Sequence, residues 1–575
     1  MKITNVKIEK FRSIKYAEFL LHNITAVVGE NNAGKTAVLR AINSVLNYKY
    51  EEQDFINKRH QYKPRNNSHI YLTFVDIPYD SFFREYLYND SVTIHFSYSY
   101  SDNRRKYEII KGRDKISISD QFLTNLHKYI TYVYIPAGRT NKDIRVSTDS
   151  ITSELISNYV KQYISKKDML SGKVKKVAEN IHDAVYKKLE QDLNNLYMQN
   201  NSVDFYVNFP ADLDFRVLLD STQIWLNDGD SKYLLQDWGS GTKSLAIIAM
   251  HRANAQLNSG SIVLGIEEPE NHLHPQAQKR FIYSLKKKLK SNESQTIFTT
   301  HSTVLVDALE HEEILLVRRA KDVGREFSSK ISQLPENFWD KYDLQPFKHY
   351  QFFHYRNSDF FFSKYVVLAE SKNDCQVLEK IISDGVGEKL ADVSFIGANG
   401  VEELKYPYFL LKELEIPSTI VVDRDYFFGY VSEDLDLSRN NSSGLPTYSA
   451  KLKSTPIIDN LFKTTIQKQK IVDAHKNGYR KFFEYISSYG ILSMNYCLEM
   501  DLTCSKVARE KYYYLCRVPS DKKNQKYLLV NNKKSIKDIS KIMEVLDCLN
   551  YQQYPESYKK IKNHLTKEIK YYITE

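Results

Sequence analysis

The chain has 575 residues, 42% hydrophobic and 26% charged, with 81 Lys and Arg against 71 Asp and Glu, a net charge of +10 and a pI near 8.9. This length exceeds one ordinary core and fits a soluble globular protein of roughly two to four domains. The mild positive excess permits nucleic-acid binding without establishing it, and no stretch approaches the about 18 consecutive apolar residues that a membrane span needs.

Met1–Val6 enters an alternating strand pattern rather than a signal peptide, so a cytoplasmic protein with no membrane association is expected. The five cysteines (Cys375, Cys497, Cys504, Cys516 and Cys548) contain no CxxC pair, which argues against a zinc knuckle and a disulfide framework and suits a reducing compartment. Residues 1–75 read as two strands, a phosphate-binding loop and a helix. Gly29-Glu30-Asn31-Asn32-Ala33-Gly34-Lys35-Thr36 matches GxxxxGK[ST], with Ile24–Val28 as the strand before it and Ala37–Leu46 as the helix after it. Loop N–H groups, including those of Gly29, Asn31, Asn32 and Gly34, would hold phosphates, Lys35 would neutralise their outer oxygens, and the Thr36 hydroxyl would reach Mg²⁺.

Further strand-like runs occupy 90–137. From 150 to about 200 the pattern is helical and charged, as in Asp168–Leu193, before strand character returns near 203. Such a stretch reads as an insertion used for self-association or as a covering helical subdomain. Gly239-Ser240-Gly241-Thr242-Lys243-Ser244 then opens the apolar helix Leu245–Met250, again an anion-binding design. Ser261–Ile266 reads as a buried strand ending in Glu267, placed to hold magnesium, and Glu268, placed to polarise the attacking water. Ile297–Thr300 is another strand, whose end carries His301 as a candidate γ-phosphate contact.

A transition over 340–364 precedes a new strand–helix series. Tyr365–Ala369 is a buried strand ending at Glu370, followed by Ser371-Lys372-Asn373-Asp374 and the helix Cys375–Ser383. Ser394–Ile396 is a second strand, ahead of Gly400. Ser418–Val422 is a third and ends in Asp423-Arg424-Asp425. Parallel α/β sheets gather functional groups beyond the C-terminal ends of their strands, so Glu370, Asp423 and Asp425 can converge. Carboxylates packed so closely repel, and a hard divalent cation relieves the repulsion; Mg²⁺ or Mn²⁺ there could act on a phosphodiester. The Ser-, Asn- and Asp-rich stretch 433–460 reads as a loop.

The first-half elements, in this order, resemble the ABC-type ATPases of the SMC/Rad50 and OLD (overcoming lysogenisation defect) class. Glu30–Thr36 resembles their Walker A, Gly239–Ser244 their signature, Glu267–Glu268 their Walker B and His301 their switch histidine. Pro269–Pro275 resembles their D-loop and Ile8–Ile14 their opening strand. No Q-loop stands out, Gln61 being the one option. The resemblance implies that the signature of one subunit, here Ser240 and Gly241, completes the ATP site of another, and so a homodimer or homotetramer.

The second-half pattern resembles the Toprim fold. The resemblance implies metal-ligand roles for Glu370, Asp374, Asp423 and Asp425, and adds a later acidic residue, fitted by Glu499, and a lysine, for which Lys559 or Lys560 is available. Ala369-Glu370-Ser371 departs from the usual Val-Glu-Gly, leaving the turn without its glycine. The expected fold is therefore α/β: an SMC/Rad50-like P-loop ATPase (1–149 and 206–345) with a helical insertion (150–205), then a Toprim domain (362–510) completed by a helical tail (511–575). The expected function is an ATP- and Mg²⁺-dependent DNA endonuclease of anti-phage defence, similar to effectors of Gabija or retron systems. Its partner would be a helicase-like protein or a reverse transcriptase with its DNA–RNA product. The alternatives are a DNA-tethering ATPase and a nucleotide-gated scaffold with an inert Toprim domain.

Overall fold

The strand ahead of the phosphate loop, Ile24–Gly29, is buried at every position, as expected where both sheet faces are covered. In the computed structural model it lies in a parallel block ordered Ile130–Ile135, Ser261–Glu267, Ser294–Thr300, Ile24–Gly29 and Ile314–Asp322. The described residues are 1–78, 82–139, 151–163, 180–197, 203–208, 222–229, 231–258, 260–288, 294–323, 325–353, 358–431 and 440–574. A wing of antiparallel pairs, broken by one parallel bridge between Ser329 and Ile14, extends the sheet through Arg325–Ser332, Ile14–Leu20, Lys2–Phe11, Ser68–Val75, Val92–Ser99 and two further strands. In Ser68–Val75 buried and half-buried positions alternate, the period-2 pattern of a sheet with one covered face.

Two compact units result, Met1–Gln333 and Leu334–Glu575. Residues 334–345, expected with the ATPase, belong to the second unit. There Phe338 and Trp339 pack edge-on against His349, and Tyr342 stacks on Phe409 at 4.1 Å. These rings make a packed element of what reads as a transition.

Part of the expected helical insertion, 164–179, lies outside the described residues, as does 198–202. The described part comprises Ile151–Tyr163, a π-helical turn His182–Tyr186 and Lys187–Leu196. Ile151–Tyr163 is tied to the helix Ser240–Asn258 by Asn158 Nδ2 to Asn254 Oδ1 (2.8 Å) and Asn254 Nδ2 to Glu154 Oε1 (2.9 Å). A small antiparallel sheet, Val203–Asn208, Gln223–Asp228 and Ser231–Leu234, follows. Among the described residues no helix is long and apolar enough to cross a membrane.

The second unit holds four parallel strands in the order Val393–Gly397, Tyr365–Ala369, Ser418–Val422 and Ile491–Ser493. The last is absent from the sequence reading because three residues carry no periodicity. The stretch expected as a loop, 433–460, is corrected in part. Tyr448–Leu452 pairs with Phe428–Tyr430 as a hairpin, and Pro456–Leu461 is a helix. Thr455 caps that helix by accepting from the Ile458 N–H, and Pro456 opens it, where its missing N–H costs nothing. Residues 432–439 lie outside the described set.

The tail joins this unit's core. In the terminal helix Glu556–Thr574, Tyr558, Ile561, Leu565 and Ile569 are fully buried at helical spacing, and the Tyr558 hydroxyl donates to Leu498 O (2.9 Å). Leu565→Ala is therefore expected to cost the second unit about 2–5 kcal/mol, read as a lower urea midpoint. An unchanged midpoint would mean that the tail merely decorates the surface.

Candidate nucleotide and metal sites

The phosphate loop is held by its surroundings. Gly29 has φ +148°, and a Cβ there would sit 2.0 Å from Val317 O, so no side chain fits. Gly34, in the left-handed region, faces Ser13 and Ser329; the Ser329 hydroxyl donates to Ser13 Oγ (2.7 Å) and the Ser329 N–H to Ser13 O (2.7 Å). Lys35 Nζ donates to Gly29 O (3.0 Å) and Glu30 O (2.8 Å). Burial lowers its pKa to about 8, against the opposing pull of Glu268, Glu270 and Glu30.

A cleft of about 470 Å³ is lined by Asn31, Asn32, Gly34, Lys35, Thr36, Gln61, Glu268 and His301, with Arg12, Arg59 and Thr299. Gln61, the one Q-loop option, thus lines the cleft. Glu268 sits at φ +42°, its N–H donating to Thr299 O (3.0 Å) and its Oε2 accepting from Asn271 (2.9 Å). His301 Nε2 lies 3.8 Å from Glu268 Oε1; burial, then Lys35, lowers its pKa, so the neutral imidazole is favoured.

Three residues given no individual role by the sequence, Glu270 (within the D-loop-like Pro269–Pro275), Arg139 and Ala137, shape this end of the sheet. Glu270 Oε1 accepts from the His301 N–H and the Thr300 hydroxyl, both at 2.7 Å. Arg139 donates to Glu267 O (3.1 Å) and Glu268 O (2.6 Å), and the Ala137 N–H donates to the buried Glu267 Oε2 (3.2 Å). For Ala137 and Arg139 the available signal was the Pro136-Ala137-Gly138-Arg139 segment that follows the strand Ile130–Ile135. Ser240 and Gly241 open the helix Ser240–Asn258 and are not among the residues lining the cleft.

In the second unit, Glu370, Asp423 and Asp425 each place a carboxylate oxygen within 4.8 Å of the others. The Asp423 N–H donates to Glu370 Oε1 (2.8 Å), which joins two strand ends. Ser371, where a glycine was expected, has φ −144°, ordinary extended backbone, and its hydroxyl caps the following helix by accepting from the Asp374 N–H. The close approach falls on Gly397 instead, where a Cβ would lie 2.6 Å from Lys372 N.

Asp425 is fixed by the Tyr430 hydroxyl (3.2 Å) and through its carbonyl by Lys453 Nζ. Between the two aspartates, the buried Arg424 lies 3.9 Å over the Phe482 ring and donates to His475 Nδ1 (2.6 Å). The late strand Ile491–Ser493 delivers Glu499, which pairs with Lys537 at 3.1 Å. Lys559 donates to Gln552 O (2.7 Å) on the exterior and Lys560 pairs with Glu484 (3.6 Å), whereas Lys537 faces the cluster. Lys537 was hidden by composition, as one lysine among many in the tail.

Burial, then the neighbouring Glu370, Asp374, Asp425 and Glu499, hold the Asp423 carboxyl well above its usual range. Burial, then Asp425 and Asp374, push Glu370 up to about 7. Five acidic side chains sharing one field fit a divalent cation, and an all-oxygen donor set fits a hard one. A proton on Glu370 competes with that cation, so divalent affinity is expected to rise with pH up to about 7 and then level off. Without metal the sign reverses: ionising this raised carboxyl costs stability as pH climbs from its unfolded value toward 7. Calorimetric titration with Mn²⁺ across this range checks the first statement, and pH-independent affinity would exclude it.

Two family models match parts of the chain: "AAA domain, putative AbiEii toxin, Type IV TA system" at residues 24–307, and "Overcoming lysogenization defect protein-like, TOPRIM domain" at 361–425. The chain is 24% identical over 453 residues to the OLD nuclease of Thermus scotoductus, covering 74% of this chain and 82% of that protein. It is 22% identical over 500 residues to the Old nuclease of Escherichia phage P2, covering 78% and 81%. A shorter match, 27% over 191 residues, joins 29% of this chain to 27% of the endonuclease GajA of Bacillus cereus.

Proposed function

Since this chain joins an ABC-type ATPase to an OLD-like Toprim domain and resembles OLD nucleases along most of its length, we propose that it is an ATP-controlled, metal-dependent DNA endonuclease of anti-phage defence. The observation that carries this reading is the convergence of Glu370, Asp423 and Asp425 within 4.8 Å, beside Glu499 and its partner Lys537. Bound Mg²⁺ or Mn²⁺ would supply Lewis-acid polarisation of a phosphodiester. The chain's own part is to present Glu370, Asp423 and Asp425 as one ligand set and Asp374 and Glu499 beside it. The Lys537 ammonium stands ready to offset negative charge developing on phosphate.

In the ATPase unit, Asn31, Asn32, Gly34 and Lys35 would seat the phosphates. Thr36 and Glu267 would hold Mg²⁺, Glu268 would polarise water, and His301 would meet the γ-phosphate. The placement of Ser240 and Gly241 away from the Lys35 cleft supports a site closed by the same segment of a second copy, hence a homodimer or homotetramer. A helicase-like protein or a reverse transcriptase complex is the class of defence partner that fits. The expected gating is tested by plasmid cleavage in Mg²⁺ with and without ATP. ATP is expected to change the wild-type rate and leave Lys35→Ala unchanged; equal rates with and without ATP in the wild type would remove the gating role.

A further inference from the structure

Net charge is distributed unevenly along this chain. Residues 506–575 contain sixteen Lys and Arg against eight Asp and Glu, so this tail holds eight of the ten net positive charges. Within it, a short run flanks the acidic cluster: a 3-10 turn Ser520–Lys522 and the helices Gln525–Asn531 and Lys533–Ile536. Leu528, Leu529 and Ile536 are buried and fix the run to the core, while Lys522, Lys523, Lys526, Lys533 and Lys534 are exposed. Nearby Lys511, Lys537 and Lys560 are paired with Glu544, Glu499 and Glu484. Among the described residues, the five exposed lysines have no such carboxylate partner.

Two contacts place the run, one on the acidic site and one on a neighbouring loop. Lys537, one residue beyond the second helix, reaches Glu499 at 3.1 Å. Lys526 packs so closely on Gly444, in the loop ahead of the Tyr448–Leu452 strand, that a Cβ on Gly444 would lie 3.1 Å from its Cα. A polyanion approaching a pocket of five acidic side chains is repelled unless fixed cations lie along its path. We propose that the exposed lysines of 520–537 form a phosphate-binding track that carries duplex DNA to the Glu370–Asp423–Asp425 cluster. The proposal rests on the nuclease reading of that cluster and specifies how its substrate is held. The lysines act as point charges on phosphates, so the track contributes affinity and salt dependence without sequence preference.

The test uses the full-length protein in an Asp423→Asn background, a labelled DNA duplex and binding measured across a range of salt. Replacing Lys523, Lys526, Lys533 and Lys534 by Gln removes four charges at exposed positions and leaves the buried Leu528, Leu529 and Ile536 untouched. It is expected to reduce the slope of log affinity against log salt by about 3 to 4, and to weaken binding about tenfold or more at about 100 mM salt. The corresponding four Arg substitutions should retain the parent slope, and equal melting temperatures establish that the Gln protein is folded. A Gln variant with the parent slope and affinity overturns the track; if the wild type still cuts DNA, the nuclease reading stands. Loss of binding in a chain that never cuts DNA keeps the track and removes the nuclease reading. Polyglutamate bound as tightly as duplex, through the same lysines, would replace DNA by an acidic protein partner and overturn the proposal.

Discussion

Asp423→Asn is expected to lower metal-dependent DNA cleavage by more than the roughly 10–100-fold that typically follows loss of a group merely supporting a ligand, with ATP turnover unchanged. Asp423 stands at the junction of the whole cluster: its N–H donates to Glu370, and its carboxyl shares a field with Glu370, Asp374, Asp425 and Glu499. Asparagine keeps the backbone bond and nearly the same volume but removes the charge. The lost function is therefore attributable to that charge and not to a rearranged strand end. The same substitution relieves repulsion in the metal-free protein, so its metal-free melting temperature is expected to equal or exceed that of the wild type. The rise that the wild type shows on adding Mn²⁺ should shrink, because stabilisation by a ligand follows its affinity for the folded state. Undiminished cleavage in rigorously purified protein would remove the Toprim site from the reaction. A lower metal-free melting temperature would show that Asp423 serves packing.

Glu268→Gln is expected to reduce ATP turnover by about 10²–10⁴-fold, the usual contribution of a positioned general base, while nucleotide binding persists. The backbone of Glu268 is held at φ +42° by its N–H bond to Thr299 O and by Arg139 on its carbonyl. These backbone contacts do not depend on the side-chain charge, so the substitution removes the base and leaves its setting in place. A fluorescent ATP analogue titrated into both proteins, alongside phosphate release, separates the two effects. Equal turnover would exclude Glu268 as the base. Lost binding with turnover reduced in proportion would assign it to nucleotide affinity.

The local motifs were legible without tertiary information. Gly29–Thr36 specifies a strand–turn–helix with defined donors, and Glu370 and Asp423-Arg424-Asp425 announce themselves by following unbroken apolar runs. Helix limits shifted by a few residues, as with Lys35–Leu46 for the expected Ala37–Leu46, because capping and the first turn carry no apolar periodicity. The loop expected at 433–460 failed for a different reason. Its Ser and Asn content signals turns, but the pairing of Tyr430 with Tyr448 across the hairpin depends on a strand eighteen positions away.

By itself the sequence determined the two chemistries of this chain, since phosphate loops and strand-end carboxylates are specified by residues adjacent along the backbone. Only the tertiary structure decided which distant groups lie against those residues: Arg139 on the Glu267 and Glu268 carbonyls, Glu270 on the His301 N–H, and Lys537 instead of Lys559 beside Glu499. The physical reason is range. A turn or a strand end is governed by dihedral angles and hydrogen bonds within a few residues. A lysine becomes part of a site only when burial of Leu528, Leu529 and Ile536 fixes where its helix lies.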